Sequence, residues 1–292
     1  MINFYLPDFY YIYPINICLI NLLKNEPEKF YPNIKIAAIY GCFPNQIWIG
    51  GRAVIGVSAD IDNIIATIRN INDLGIPIRF TYTNSLLTEE HLSNTYCNFV
   101  TECANNGMNE ILVNSLLLEE YLREKFPNFK YISSATRCIR DVNELNKLID
   151  SKKYYLVLGD YRDNFNFDFL SKIKQKDKLE ILIDPWCDPN CKIREYHYKV
   201  LNQMQLGIKQ DEYSLCKWET ASWQEVFNAG HVIKIEDLYN KYVDMGFNNF
   251  KLEGRNLHPI NIIDSYVYYL VKPEYRDEIR NRLVREQYSN KQ

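Results

Sequence analysis

EILIDPWCDPNC, residues 180–191, begins as a buried strand and ends as something else. Ile181, Leu182 and Ile183 form a short apolar run bounded by turn signals, the look of a strand covered on both faces. Asp184 and Pro185 then stop it, since proline brings no backbone donor to a sheet. Two cysteines follow four positions apart, Cys187 and Cys191, in a loop stiffened by Pro185 and Pro189. Whether this is one parallel strand among several, opening into a loop, decides how the rest of the chain is read.

Similar runs recur, each followed by a polar turn and then a helical pattern. They are NFYLP (3–7), IKIAAIYG (34–41), IPIRFTYTN (76–84), EILVNS (110–115), KYISSA (130–135), YYLVLGD (154–160) and FKLEGR (250–255). With EILIDPW (180–186) that makes eight runs, none with the clean alternation of a half-exposed strand. Between them, 60–74 places Ile61, Ile64, Ile65, Ile68 and Ile71 on one helical face. Helices are also predicted over 88–107, 115–126, 141–150, 166–175, 190–204, 235–246 and 262–287. The alternation predicts an α/β fold, a single-domain (β/α)8 TIM-like barrel over 1–292, with a doubly wound open sheet as the alternative. The least regular stretch, 205–234, is expected to be an insertion between the seventh and eighth strands.

Composition narrows the function. The chain has 292 residues, the apolar and charged fractions of a globular protein, and a net charge of −3. No global basic field is available to hold a nucleic-acid backbone. No apolar run is long enough to cross a bilayer. The apolar N-terminus lacks a basic start and contains Pro7, Asp8 and Pro14, so it reads as a strand and helix rather than a signal peptide. A cytoplasmic protein, without a membrane partner, is the expectation.

In a barrel of this kind the active site lies where the strands end. Those ends carry Tyr40 and Cys42; Asn84; Asn114; Ser133, Ser134 and Cys138; Asp160 and Arg162; Asp184, Cys187 and Cys191; and Glu253 and Arg255. Glu253 and Arg255 lie on one side of a strand, because side chains alternate with period two. Buried charges of this kind pair with each other or with a ligand. Arg255 suits a bidentate grip on a carboxylate or phosphate. Arg79, Asn84, Asn114 and Asp160 are the candidate substrate contacts, with Arg162 and Arg52 behind them.

Of eight cysteines, Cys18, Cys97 and Cys103 sit in helical patterns and read as small core residues. Cys187 and Cys191, joined by Cys216 and by Cys138 or Cys42, would converge on one barrel mouth. About four thiolates suit tetrahedral zinc or a four-iron cluster equally. The histidines, His91, His197, His231 and His258, form no HExxH or catalytic triad pattern.

MGFNNFKLEGR, EILIDPWCDPNC with the later Cys216, and NEILVNSLLLEEYLREKFPNFKYISSATRC together resemble peptidase family U32. The resemblance spans about 34 to 271, and the strand ending in Glu-Gly-Arg is its most specific part. It implies a (β/α)8-type barrel and, as in several members, a 4Fe-4S cluster held by four cysteines. Cys187, Cys191 and Cys216 are the ligands it implies, with Cys138 as the fourth and Cys42 as the alternative. The resemblance further implies oxygen-independent hydroxylation of a small molecule or nucleobase. Glu253 and Arg255, read from their place at the strand end, are the expected catalytic groups, with Arg255 holding an anionic substrate. A U32-type peptidase is one alternative. A zinc-stabilised or metal-free barrel acting as a binding module is another. A protein partner or an oligomer is left open.

Overall fold

The computed structural model describes residues 1–52, 55–208, 216, 218 and 220–289. Eight parallel strands close into a barrel in sequence order. They are β1 (Ile2–Pro7), β2 (Ile34–Gly41), β3 (Ile78–Tyr82), β4 (Glu110–Val113), β5 (Lys130–Ser133), β6 (Leu156–Leu158), β7 (Leu179–Leu182) and β8 (Asn249–Lys251). β8 pairs with both β7 and β1, which closes the ring. All eight runs read from sequence are strands, most of them a few residues shorter, because the polar residues at their ends turn out of the ladder.

The helices are α1 (Tyr13–Asn25), α2 (Ile61–Asp73), α3 (Glu89–Leu92), α4 (Thr95–Cys103), α5 (Leu116–Lys125) and α6 (Val142–Asp150). They continue with α7 (Phe167–Ser171), α8 (Arg194–Gln205), α9 (Trp223–Asn228), α10 (Ile235–Asp237), α11 (Pro259–Leu270) and α12 (Arg276–Ser289). Three expectations need correcting. The helix predicted over 88–107 is two, broken where Asn94 leaves the helix and caps the Cys97 N–H. The helix predicted over 262–287 is also two, because Pro273 cannot continue the first. On α2, Ile64, Ile68 and Ile71 are buried while Ile61 and Ile65 are exposed, so the apolar stripe is narrower than the sequence suggested. Of the stretch 205–234, residues 209–215, 217 and 219 lie outside the described residues, and the described part carries α9.

Alternation along each strand makes two cores. Outward residues such as Phe4, Leu6, Ile39, Phe80, Ile111, Ile181 and Phe250 pack under the helices. Inward residues Tyr5, Ala38, Tyr40, Leu112, Ile132, Leu156 and Leu158 fill the barrel. The inner core also contains charge. Arg79 donates from Nε to Glu110 at 2.7 Å and from Nη1 to Glu180, and its guanidinium lies 4.1 Å from the Tyr5 ring centroid. These groups sit low in the barrel, near the strand starts. No helix among the described residues is long and apolar enough to cross a membrane.

Candidate active site

The segments after β2, β6, β7 and β8 frame a cavity of about 650 Å³ at the C-terminal mouth of the barrel. Its wall includes Arg52, Tyr161, Trp186, Cys187, Arg194, His197, Tyr198, Cys216, Trp218, Glu253 and Arg255. β8 brings in two of these. Gly254 between them is required by close packing: a Cβ there would lie 2.4 Å from Pro7 Cγ.

Glu253 ties three loops together. Its Oε1 accepts from Arg52 Nη1 at 3.0 Å, and its Oε2 accepts from the Trp186 N–H at 2.9 Å. Its own N–H donates to Asp184 Oδ1 at 2.6 Å, while Ser265 Oγ donates to Asp184 Oδ2. Burial holds the Asp184 carboxyl well above the usual range. Arg52 reaches Glu253 because the chain turns through left-handed backbone at Gly51 and Arg52, φ 77° and 66°. Glu253 is therefore engaged in fastening the mouth.

Arg255 is different. Its Nη1 donates to Thr81 Oγ1 at 2.8 Å, and no carboxylate among the described residues lies within salt-bridge distance of it. Its charge acts on Asp8, Tyr40 and Cys42 nearby. Burial raises the Asp8 carboxyl to about 6, opposed by N–H bonds from Tyr11 and Tyr10 and by Arg255.

A second arginine cluster reaches the cavity wall through Arg194. Asp160 accepts from Arg162 Nη2 at 2.7 Å and from Arg194 Nη1 at 2.8 Å. Burial would raise the Asp160 carboxyl, but the bonds from Arg162 and the charge of Arg194 outweigh it and hold it low. Arg194 also stacks 4.0 Å from the Tyr161 ring centroid and donates to Tyr198 OH at 2.9 Å. Arg194 Nε and Trp186 Nε1 are buried donors with no acceptor among the described residues.

The cysteines fall into separate settings. Cys187 and Cys216 both line the cavity. Burial pushes the Cys187 thiol up to about 12; the neighbouring Tyr161 hydroxyl, which donates to the Asp188 carbonyl at 3.3 Å, opposes the rise, and the charge of Cys191 adds to it. Cys138 sits in left-handed backbone, φ 54°, with Arg194, Asp160 and Arg162 as its charged neighbours, and does not line the cavity. Cys42 is buried beside Arg255. As these side chains stand, no three His, Cys, Asp or Glu groups among the described residues are gathered to hold a metal.

The other sequence candidates lie away from the cavity. Arg79 is wholly buried in its ion pairs. Asn84 is buried, donating to the carbonyls of Ile47 and Asn202. Asn114 donates to Thr136 Oγ1. Asp160 reaches the cavity through Arg194. Six wall residues are not candidates in the sequence: Tyr161, Trp186, Trp218, Arg194, His197 and Tyr198. The last three recur at i, i+3 and i+4 from the start of α8, directly after the cysteine loop, and that periodicity was the available signal. Burial lowers His197 to about 4, so its ring is neutral at pH 7.

No protein-family model matches the sequence. No curated protein matches it at a significant level. The barrel is similar to that of a U32 peptidase. The match is to the solved structure of the U32 peptidase Mk0906, with a TM-score of 0.51 and 12% identity, over 87% of this chain and 93% of that one. At that identity the likeness to Mk0906 is one of fold, and it agrees with the family that KLEGR and the cysteine loop resemble.

Proposed function

We propose that the chain is an enzyme whose mouth cavity binds an anionic small molecule or nucleobase, with Arg255 as the anchor. The observation that carries this is a cation in the cavity wall with no carboxylate partner among the described residues, where the wall's other arginines, Arg52 and Arg194, each have one. A half-buried charge with no carboxylate partner among the described residues is stabilised by an anionic ligand. The acceptorless Nε–H of Arg194 and Nε1–H of Trp186 extend the same preference to an acceptor-rich ligand. Trp186, Trp218 and Tyr198 offer aromatic surface to the ligand's body.

The proposed cofactor is a 4Fe-4S cluster, with zinc as the alternative, and the proposed ligands are Cys187, Cys191, Cys216 and Cys138, or Cys42 in place of Cys138. Two thiols facing one cavity, and a third close enough to act on one of them, support this. As they stand the thiols form no cage. What the site does with an anion therefore rests on the arginines and the N–H donors. A cysteine loop of this kind closes on its metal as the metal binds. Of the reactions the family resemblance implies, oxygen-independent hydroxylation is proposed over peptide cleavage. A thiol held near 12 is not the thiolate that a cysteine peptidase needs at neutral pH.

Titration calorimetry of the full chain with benzoate and with a nucleoside monophosphate tests the anchor. Arg255→Gln should weaken binding about 10- to 100-fold, the worth of hydrogen bonds to a charged group. Equal affinity in the two proteins, or no binding of either probe to wild type, would contradict the assignment.

A further inference from the structure

Lys251 closes β8 two residues before Glu253. It stands two residues after Asn249, whose side chain accepts from the Tyr5 hydroxyl inside the barrel, so Lys251 faces the same interior. Lys251 pairs in register with Leu182 on β7, and Leu182 lines the mouth cavity. Lys251 therefore stands directly beside a residue of the cavity lining. The side chain keeps only 5% of its surface, and its amine lies 3.7 Å from the centroid of the Tyr40 ring. The charge of Arg255 acts on the same tyrosine.

The amine lacks the partners a structural lysine has. No carboxylate among the described residues lies within 4.0 Å of it, and the Tyr40 ring is its one recorded contact there. Glu180, the nearest candidate by charge, is bound to Arg79. The charged groups that act on Lys251 come from three strands: Glu180 on β7, Arg79 on β3, and Arg255 and Glu253 beside it at the end of β8. Burial outweighs them and lowers the amine to about 7, so a large share is neutral at neutral pH. A neutral, desolvated lysine is the form that attacks a carbonyl carbon.

We infer that Lys251 is the nucleophilic amine of a carbonyl-binding site beside the cavity lining, forming an imine with an aldehyde or ketone whose anionic group is held by Arg255. The amine nitrogen adds to the carbonyl carbon. The carbinolamine then loses its oxygen as water, leaving a C=N bond with no net oxidation or reduction. This rests on the reading of Arg255 as the anion anchor, and it adds a substrate class, an anionic carbonyl compound, which that reading does not require.

The test is reductive trapping with 4-carboxybenzaldehyde, which sets an aldehyde across a flat ring from a carboxylate. Sodium cyanoborohydride would supply the hydride that converts an imine to a stable secondary amine. Peptide mapping of the wild-type chain should find Lys251 modified ahead of the surface lysines, and Arg255→Gln should slow that modification about tenfold. Calorimetry with 4-(hydroxymethyl)benzoate, which has no carbonyl, separates the two claims. If it binds wild type and not Arg255→Gln, yet only surface lysines are trapped, the anion anchor stands and Lys251 is overturned as a nucleophile. If it binds neither protein and Lys251 stays unmodified, both are overturned.

Discussion

Replacing Arg79 with leucine should lower the free energy of unfolding by about 3–5 kcal/mol, the cost of leaving buried charges without their partner. Arg79 is fully buried, and its two partners, Glu110 and Glu180, are no more than 3% exposed. Removing the guanidinium leaves both carboxylates inside the barrel with no cation at salt-bridge distance among the described residues. Burial already raises the Glu110 carboxyl against the pull of Arg79. In the variant it would take up a proton rather than stay charged. Urea denaturation followed by circular dichroism measures the loss. Converting all three to leucine should recover most of it, since apolar replacement of a whole buried ion cluster is often neutral or better. A loss below about 1 kcal/mol in the single variant would mean that water reaches these groups, contrary to the packing described.

Asp160→Ala should cost a similar amount, about 3–5 kcal/mol at neutral pH. It strands Arg194, which is 3% exposed, and removes the carboxylate that also holds Arg162. The pH dependence distinguishes this from simple loss of packing. The Asp160 carboxyl is held below its unfolded value of about 3.9. Its contribution is therefore present above that value and fades as the pH falls through the folded one. The gap in stability between wild type and Asp160→Ala should narrow in acid. A gap that stays constant down to about pH 2 would contradict the ionic account. Because Arg194 also positions Tyr161 and Tyr198, the variant should loosen the cavity wall as well.

The barrel was legible because its rule is local. Every strand of a closed parallel barrel is covered on both faces, so each writes an apolar run into the sequence. Helix ends were less so where a single residue decides, as at Asn94 and Pro273. The mouth could be located, because strand ends are in the sequence, and Glu253, Arg255 and Cys187 follow from that rule, while Cys216 follows from the grouping of the cysteines. Roles were harder. Arg79 and Arg255 look alike in the sequence, yet one sits at the start of β3 between two glutamates and the other at the mouth with no carboxylate bound to it among the described residues. That contrast lies in register across strands, which periodicity along one strand does not contain. Trp186, Arg194, His197 and Tyr198 belong to a loop and a helix, where the strand-end rule does not look. Lys251 was passed over as the first residue of KLEGR, because its depth shows only once β7 and β8 are paired.

The central claim is that the cysteine loop after β7 and the cavity behind it form one reactive site. Iron and acid-labile sulfide should be determined on the full chain purified without oxygen, wild type beside Cys187→Ala. The account predicts brown wild-type protein with about four irons and four sulfides per chain, as four thiolate ligands imply. Cys187→Ala should lose both while keeping its circular dichroism spectrum. Colourless, iron-free wild-type protein from that preparation would contradict it.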